Sequence, residues 1–277
     1  MTARPGLPKL IATDLDGTIV RSDETVSEYT HAVLERVRAA GIPLVGVTGR
    51  GPRLLDLCRR DIPEAGFLVL AQGGRVVDLT DPAEPLVLRS ATVPGNVMLG
   101  VIETLEAVTG PLSVMVEALD APNAPLWGEP HNAWRYPNDV EHRSREESFA
   151  APVLKAFAHS PRYEPDELVA IARRLVPQDG VTVTQAGLGY IEICPPGVTK
   201  ATGLAVVAAH LGVDPSEVLV FGDMPNDLPM FEWAGWSRVA VANAHPQLLA
   251  AADEVTEACH EDGVARYLER LLDGRRA

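Results

Sequence analysis

Hydrophobic residues along the chain fall into short blocks whose spacing changes as the sequence proceeds. LPKLIAT is a short, continuous apolar run, as in a strand buried on both faces. SEYTHAVLERVRAAG follows, with Val33, Leu34 and Val37 at helical spacing, Ser27 placed as an N-cap and Gly41 just past the end. IPLVGVT predicts a second strand, GPRLLDLCRR a helix with Pro52 near its start, and FLVLA a third strand. This strand–helix alternation predicts a parallel sheet with right-handed crossovers.

The rhythm breaks near Gly73. RVVDL and PLVLRS are short β-type runs around TDPAEP, a hairpin pattern. GNVMLGVIETLEAV predicts a helix and PLSVMVEAL a strand. Between Asp120 and Ala150 periodicity is lost among prolines, Trp127, His131, Trp134 and His142. VLKAFAH is strand-like, EPDELVAIARRLV is helical, and VTVTQ and LGYIEIC flank a second hairpin signal, AGLG. Hairpins mixed with helices predict a separate α+β unit. The earlier alternation then returns through TKATGLAVVAAHLG, EVLVFG, NDLPMFEWAG, SRVAVAN, HPQLLAAA and GVARYLERLLDG. The expected organisation is α/β, with a core formed by residues 1–78 and 195–277 and an inserted domain at 79–194.

Charge narrows the partners. The 277 residues carry 24 Lys plus Arg against 38 Asp plus Glu, a formal net charge of −14. That balance opposes coating a nucleic-acid duplex or an anionic membrane, both of which need a basic face. A small phosphorylated substrate stays compatible, because a site can be locally positive on an acidic protein. No run approaches the length of a membrane span, and MTARPGLPKL lacks the apolar stretch of a signal peptide. Cys58, Cys194 and Cys259 are widely separated, with no metal-type spacing. They read as small buried apolar residues of a reduced, cytoplasmic protein.

Candidate chemistry gathers at the strand ends, where open α/β sheets bind ligands. Asp14, Asp16, Gly17 and Thr18 follow the first strand, and Thr48, Gly49 and Arg50 the second. Gln72, Gly73 and Gly74 follow the third, and Asp223, Asn226 and Asp227 follow EVLVFG, with Lys200 near the start of the helix after the insert. Clustered carboxylates suit a hard cation such as Mg²⁺, which takes few protein carboxylates plus waters and phosphate oxygens. Lys200, Thr48 and backbone N–H groups near Gly17 and Gly49 could bind the other phosphate oxygens. A carboxylate beside such a cradle can act as a nucleophile and form an acyl phosphate. Each motif alone also fits an ordinary turn or solvated charge; their joint occurrence at successive strand ends does not.

These motifs resemble the haloacid dehalogenase-like hydrolase superfamily, specifically its Cof-like subfamily with an inserted α/β cap of the C2B type. DLDGTIV is similar to motif one, VTGR to motif two, GVTKATGL to the lysine motif and GDMPNDLPMF to motif four. AGWSRVAVANA and EDGVARYL resemble the subfamily's ending. The resemblance implies a Rossmann-like core and a Mg²⁺-dependent phosphatase acting on a small phosphorylated metabolite, a sugar phosphate. It implies that Asp14 attacks phosphorus and that Asp16 serves as acid, then base. It places Mg²⁺ on the carboxylates of Asp14 and Asp223 and the backbone carbonyl of Asp16, with Asp227 positioning Lys200 or a metal-bound water. It assigns the phosphoryl group to Thr48 and Lys200, with Leu15, Gly49, Arg50 and Asn226 as further phosphate or substrate contacts. Gln72 departs from the subfamily's Asn, and its extra methylene moves the amide outward.

The inserted stretch LWGEPHNAWRYPNDVEHRSREE holds Trp127, His131, Trp134, His142, Arg143 and Arg145. It reads either as a substrate-facing lid or as a surface loop whose Trp residues pack locally. His131 and His142 have no third ligand at metal spacing. Two rival functions share the motif set: a phosphosugar mutase on the same fold, and a phospho-aspartate switch or metabolite sensor. The switch has no use for Asp16 as an acid or for a large insert. The chain is compatible with a monomer or a homodimer.

Overall fold

The computed structural model describes residues 6–274 apart from 82, 119–122, 130–133, 135–138, 178–179 and 186–188. The first part runs β1 (Leu10–Asp14), α1 (Glu28–Ala39), β2 (Leu44–Val47), α2 (Leu55–Asp61), β3 (Phe67–Leu70), β4 (Arg75–Asp78) and β5 (Leu86–Ser90). The middle follows as α3 (Gly95–Thr109), β6 (Ser113–Glu117), β7 (Leu126–Gly128), β8 (Val140–His142), α4 (Arg145–Ser148) and β9 (Lys155–His159). It closes with α5 (Pro165–Leu175), β10 (Thr182–Gln185) and β11 (Ile191–Cys194). The last part is α6 (Lys200–Leu211), β12 (Val218–Gly222), α7 (Leu228–Trp233), β13 (Ser237–Val241), α8 (Pro246–Ala251), β14 (Glu254–Thr256) and α9 (Gly263–Leu272).

Two sheets result. The larger is ordered β14-β13-β12-β1-β2-β3-β4-β5, and its strands from β14 to β3 are parallel. β1, β2, β3 and β12 are buried at every residue, which explains why they read as unbroken apolar runs. The expected boundary at 78/79 is corrected here. β5 pairs antiparallel with β4 and extends the large sheet, so the hairpin stays with the core. A hairpin's alternation is the same on either sheet, and the sequence pattern carries no sign of which edge it joins.

The second sheet is ordered β10-β11-β9-β6-β7-β8. The stretch without periodicity thus contributes two short strands, β7 and β8, which pair in parallel. α3 and α5 cover one face of this sheet, burying Met98, Ile102, Leu105, Leu168 and Ala172 against its strands. The opposite face can be read from register. Glu117 pairs with Lys155, Phe157 with Glu192, and Glu192 with Thr184, so all five side chains share a side. Trp134 joins them, 5.5 Å from Phe157 and 5.3 Å from Tyr190 between ring centres.

Both crossings between the sheets pass Gly73 and Gly74. The Ala91 N–H donates to the Gly74 carbonyl at 2.8 Å. Gly73 has φ +105°, and a Cβ there would lie 2.2 Å from the Thr199 carbonyl oxygen. Only glycine fits both the backbone angle and that approach.

Candidate active site

β1 ends on Asp14, and the chain then turns so tightly that the Leu15 carbonyl accepts the N–H groups of Thr18, Ile19 and Val20. Gly17, at φ +83°, allows this turn. The two aspartates therefore part company. The Asp14 carboxylate takes Lys200 Nζ on Oδ1 at 2.5 Å and the Thr18 hydroxyl on Oδ2 at 3.2 Å. Asp16, its side chain 57 % exposed, lies in the fork of Arg50, with Nε 2.8 Å from Oδ2 and Nη2 2.6 Å from Oδ1. Arg50 is held in turn by buried Asp61 through Nη1 at 2.6 Å. The Leu15 side chain is in the core, so a phosphate contact there falls to its backbone N–H.

β12 ends on Gly222 and delivers Asp223, and a turn of 3₁₀ helix at Pro225–Asp227 follows. Among the described residues, Asp14, Asp223 and Asp227 form a buried acidic cluster whose oxygens lie within 4.8 Å of one another. Asp227 is already committed. Oδ1 accepts from Lys200 at 2.6 Å, and Oδ2 accepts the N–H groups of Asp223 and Met224 at 3.0 Å. Its two oxygens thus tie Lys200 to the Asp223 loop. The Asp16 carboxylate is outside the cluster, which leaves only its backbone carbonyl for the metal role. The cluster's remaining carboxylates are those of Asp14 and Asp223, which the Thr18 hydroxyl bridges at 3.2 and 3.4 Å.

Electrostatics fit a cation at that point. Burial, countered by Lys200, pushes the Asp14 carboxyl above the usual range. Burial, reinforced by Asp14 and Asp227, pushes Asp223 up as well. Burial opposes the charge of Lys200, but Asp14 and Asp227 outweigh it and hold the amine above its ordinary value. Two ionised carboxylates about 4 Å apart repel by about 4 kcal/mol at an effective dielectric of 20. A divalent ion between them removes that cost, and oxygen ligands of this kind suit Mg²⁺.

At the end of β2, buried Thr48 accepts the Arg50 N–H on Oγ1 at 3.0 Å. After β3, Gln72 sits in the left-handed region at φ +58°. Its longer side chain spans two parts of the protein: Nε2 donates to Glu192 of the second sheet, and Oε1 accepts from Asn226 at 3.2 Å. Asn226 Oδ1 is buried and has no hydrogen-bond partner among the described residues. A cavity of about 240 Å³ opens beside Lys200, Asn226 and Gln72, with Thr182 and Thr184 of β10 across it. A larger cavity along α3, of about 690 Å³, is lined by none of the motif residues.

Several contributors were missed by sequence reasoning. Lys155 and Glu192 reach Gly49 and Gln72 from the second sheet. Glu117 lies so close over Gly51 that a Cβ there would be 2.0 Å from its carboxylate oxygens. Asn243 donates to the Gly17 carbonyl at 2.8 Å, and the His245 N–H donates to the Asp223 carbonyl at 2.7 Å. Lys155 and Glu192 did carry a signal, since a charge inside an apolar strand run requires a buried partner.

The described residues of the irregular stretch make both local and distant contacts. The Arg143 guanidinium lies 3.8 Å over the Trp127 ring and also pairs with Glu141. Arg145 pairs with Glu106. His142 is exposed, and His131 lies outside the described residues. All three cysteines are free and buried, and burial pushes each thiol above its ordinary range.

This geometry can be set beside known proteins. A family model described as haloacid dehalogenase-like hydrolase matches residues 11–268. The phosphoglycolate phosphatase of Natronomonas pharaonis is 32% identical, over 96% of this chain and 98% of its own. A haloacid dehalogenase-like hydrolase from Bacteroides thetaiotaomicron is 26% identical and superposes with a TM-score of 0.73, covering 95% of this chain and 99% of that one. The subclass IIB sugar phosphatase BT4131 shares the fold at 20% identity, with a TM-score of 0.78 over 95% of this chain and 98% of that one. By the family model that matches nearly the whole chain and by these relatives, the chain belongs to the haloacid dehalogenase-like hydrolases, within their Cof-like branch of phosphatases.

Proposed function

We propose that this phosphatase hydrolyses a small phosphorylated metabolite, a sugar phosphate, with Mg²⁺ and through an aspartyl-phosphate on Asp14. The observation that carries the reading is the buried contact of Asp14 with Lys200, with Asp223 alongside and Asp16 turned away toward Arg50. Asp14 thus lies beside a cation that favours its ionised form against burial, and Asp16 lies apart from it, on the exposed side in the fork of Arg50. The relatives' names, phosphoglycolate phosphatase and sugar phosphatase, support a small metabolite.

Asp14 and Asp223, with the Asp16 carbonyl, would hold Mg²⁺, which would offset negative charge between carboxylate and phosphate. An Asp14 oxygen forms the bond to phosphorus as the ester P–O bond breaks. Lys200 and the Thr48 hydroxyl bind the phosphoryl oxygens, chiefly by positioning and charge. Asp16 gives its proton to the leaving oxygen, which requires at least one of its oxygens to leave the Arg50 fork. Water then attacks phosphorus while Asp16 takes its proton, and Asp14 is restored as inorganic phosphate departs.

Asp14→Asn should lower kcat for p-nitrophenyl phosphate by about 1,000-fold or more while leaving the fold intact. Substantial turnover by the purified variant would remove Asp14 as nucleophile. Wild-type protein given a sugar 1-phosphate should release free phosphate; accumulation of the 6-phosphate would mark a mutase instead.

A further inference from the structure

The second sheet meets the catalytic core through a buried ion pair. Lys155 and Glu192 are 1 % and 6 % exposed at their side chains and 2.7 Å apart. Lys155 Nζ also lies 4.2 Å from the Phe157 ring centre and donates to the Gly49 carbonyl at 2.5 Å. Buried pairs are weak stabilisers, so this one calls for another explanation.

The Gly49 carbonyl and the Arg50 N–H belong to one peptide group. Lys155 grips its oxygen, and its N–H donates to Thr48 Oγ1 at 3.0 Å. A hydroxyl that accepts a backbone N–H keeps its own proton to donate elsewhere. A cation on the carbonyl polarises the peptide and strengthens its N–H as a donor. Glu192 works the other side. It accepts Gln72 Nε2, while the Gln72 N–H donates to the Thr48 carbonyl at 3.2 Å and Gln72 Oε1 accepts from Asn226. A Cβ on Gly49 would lie 2.7 Å from Gln72 Nε2, so the two arms are packed together.

We propose that Lys155 and Glu192 are positioning residues for phosphoryl transfer. Lys155 seats the Gly49–Arg50 peptide and so aims the Thr48 hydroxyl at the phosphoryl group, and Glu192 orients Asn226 through Gln72. The phosphate cradle is then complete only when the second sheet is seated on the core. This inference rests on the phosphatase reading, with Thr48 as a phosphate ligand.

The test is the Lys155→Met/Glu192→Gln double variant, which removes both charges of the pair together and leaves Arg53 as the cation beside Glu117. Its kcat should fall about 10- to 100-fold, equally for p-nitrophenyl phosphate and a sugar phosphate, with cooperative unfolding retained. On a Thr48→Val background the same pair should cost clearly less than it does alone, because the Lys155 arm runs through Thr48 while the Glu192 arm, through Gln72 and Asn226, remains. A kcat within about threefold of wild type, full multiplication with Thr48→Val, or a loss confined to KM for one substrate would overturn the proposal. If the double variant does not fold, Gln72→Met tests the second arm with the ion pair intact. It should lower kcat about tenfold, and the loss should vanish on an Asn226→Ala background; full multiplication there overturns that arm. Wild-type protein that hydrolyses neither ester overturns the phosphatase reading itself, a result distinct from all of these.

Discussion

A Cβ on Gly17 would lie 2.3 Å from Asp223 Oδ2, and the residue holds φ +83°. Any side chain there meets backbone strain and displaces a carboxylate proposed to hold the metal. Gly17→Ala should therefore weaken Mg²⁺ binding about 10- to 100-fold, read by titration calorimetry on the folded protein. A wild-type isotherm would argue against Asp223 as a ligand. The aspartates and Lys200 were legible because strand ends are where such sheets bind ligands. Their division of labour was implied by the family resemblance, but the grip of Arg50 on Asp16 was not legible. In an ideal strand Asp14 and Asp16 would share a face; the turn at Gly17 and the reach of Arg50 separate them. Gln72 stood out as a departure whose extra methylene moves the amide outward, and there the amide joins Asn226 to the second sheet.

At the scale of elements, the buried parallel strands were plain because each is apolar throughout and ends at a turn. The β4–β5 hairpin was recognisable, but not its sheet, since pairing depends on which edge lies open. β7 and β8 escaped because three-residue strands have too little length to show a period. Helix starts were clearer. The Ser27 hydroxyl accepts the Thr30 N–H at 3.0 Å and donates to Asp262 at 2.7 Å, tying the start of α1 to the start of α9. Ser27→Ala should cost about 1 kcal/mol, read as a lower denaturant midpoint with unchanged slope. No change in midpoint would mean that the cap contributes nothing to the folded state.

For the whole molecule, the raised carboxyls set a pH dependence. Asp14 and Asp223 have folded-state pKa values above their ordinary 3.8, up to about 9 for Asp223. The folded protein therefore binds more protons than the unfolded chain between those limits. Without metal, this stability is fully present below the ordinary value and is lost as pH rises toward about 9. The melting temperature in chelator should fall from pH 6 to pH 9, and saturating Mg²⁺ should flatten the slope, about pH 6 and 9 being bracketing conditions. A melting temperature that rises over this range would contradict the sign. The pair of glycines at the end of β3 has a consequence of another kind. The chain leaves the core beside Gly74 and re-enters beside Gly73, so the insertion is attached at what is nearly a single point. A short loop could join those ends at little entropic cost, because they already lie together. The core is in that sense a socket: its catalytic strands do not depend on the length of what is plugged in, and one fold can carry caps of different design.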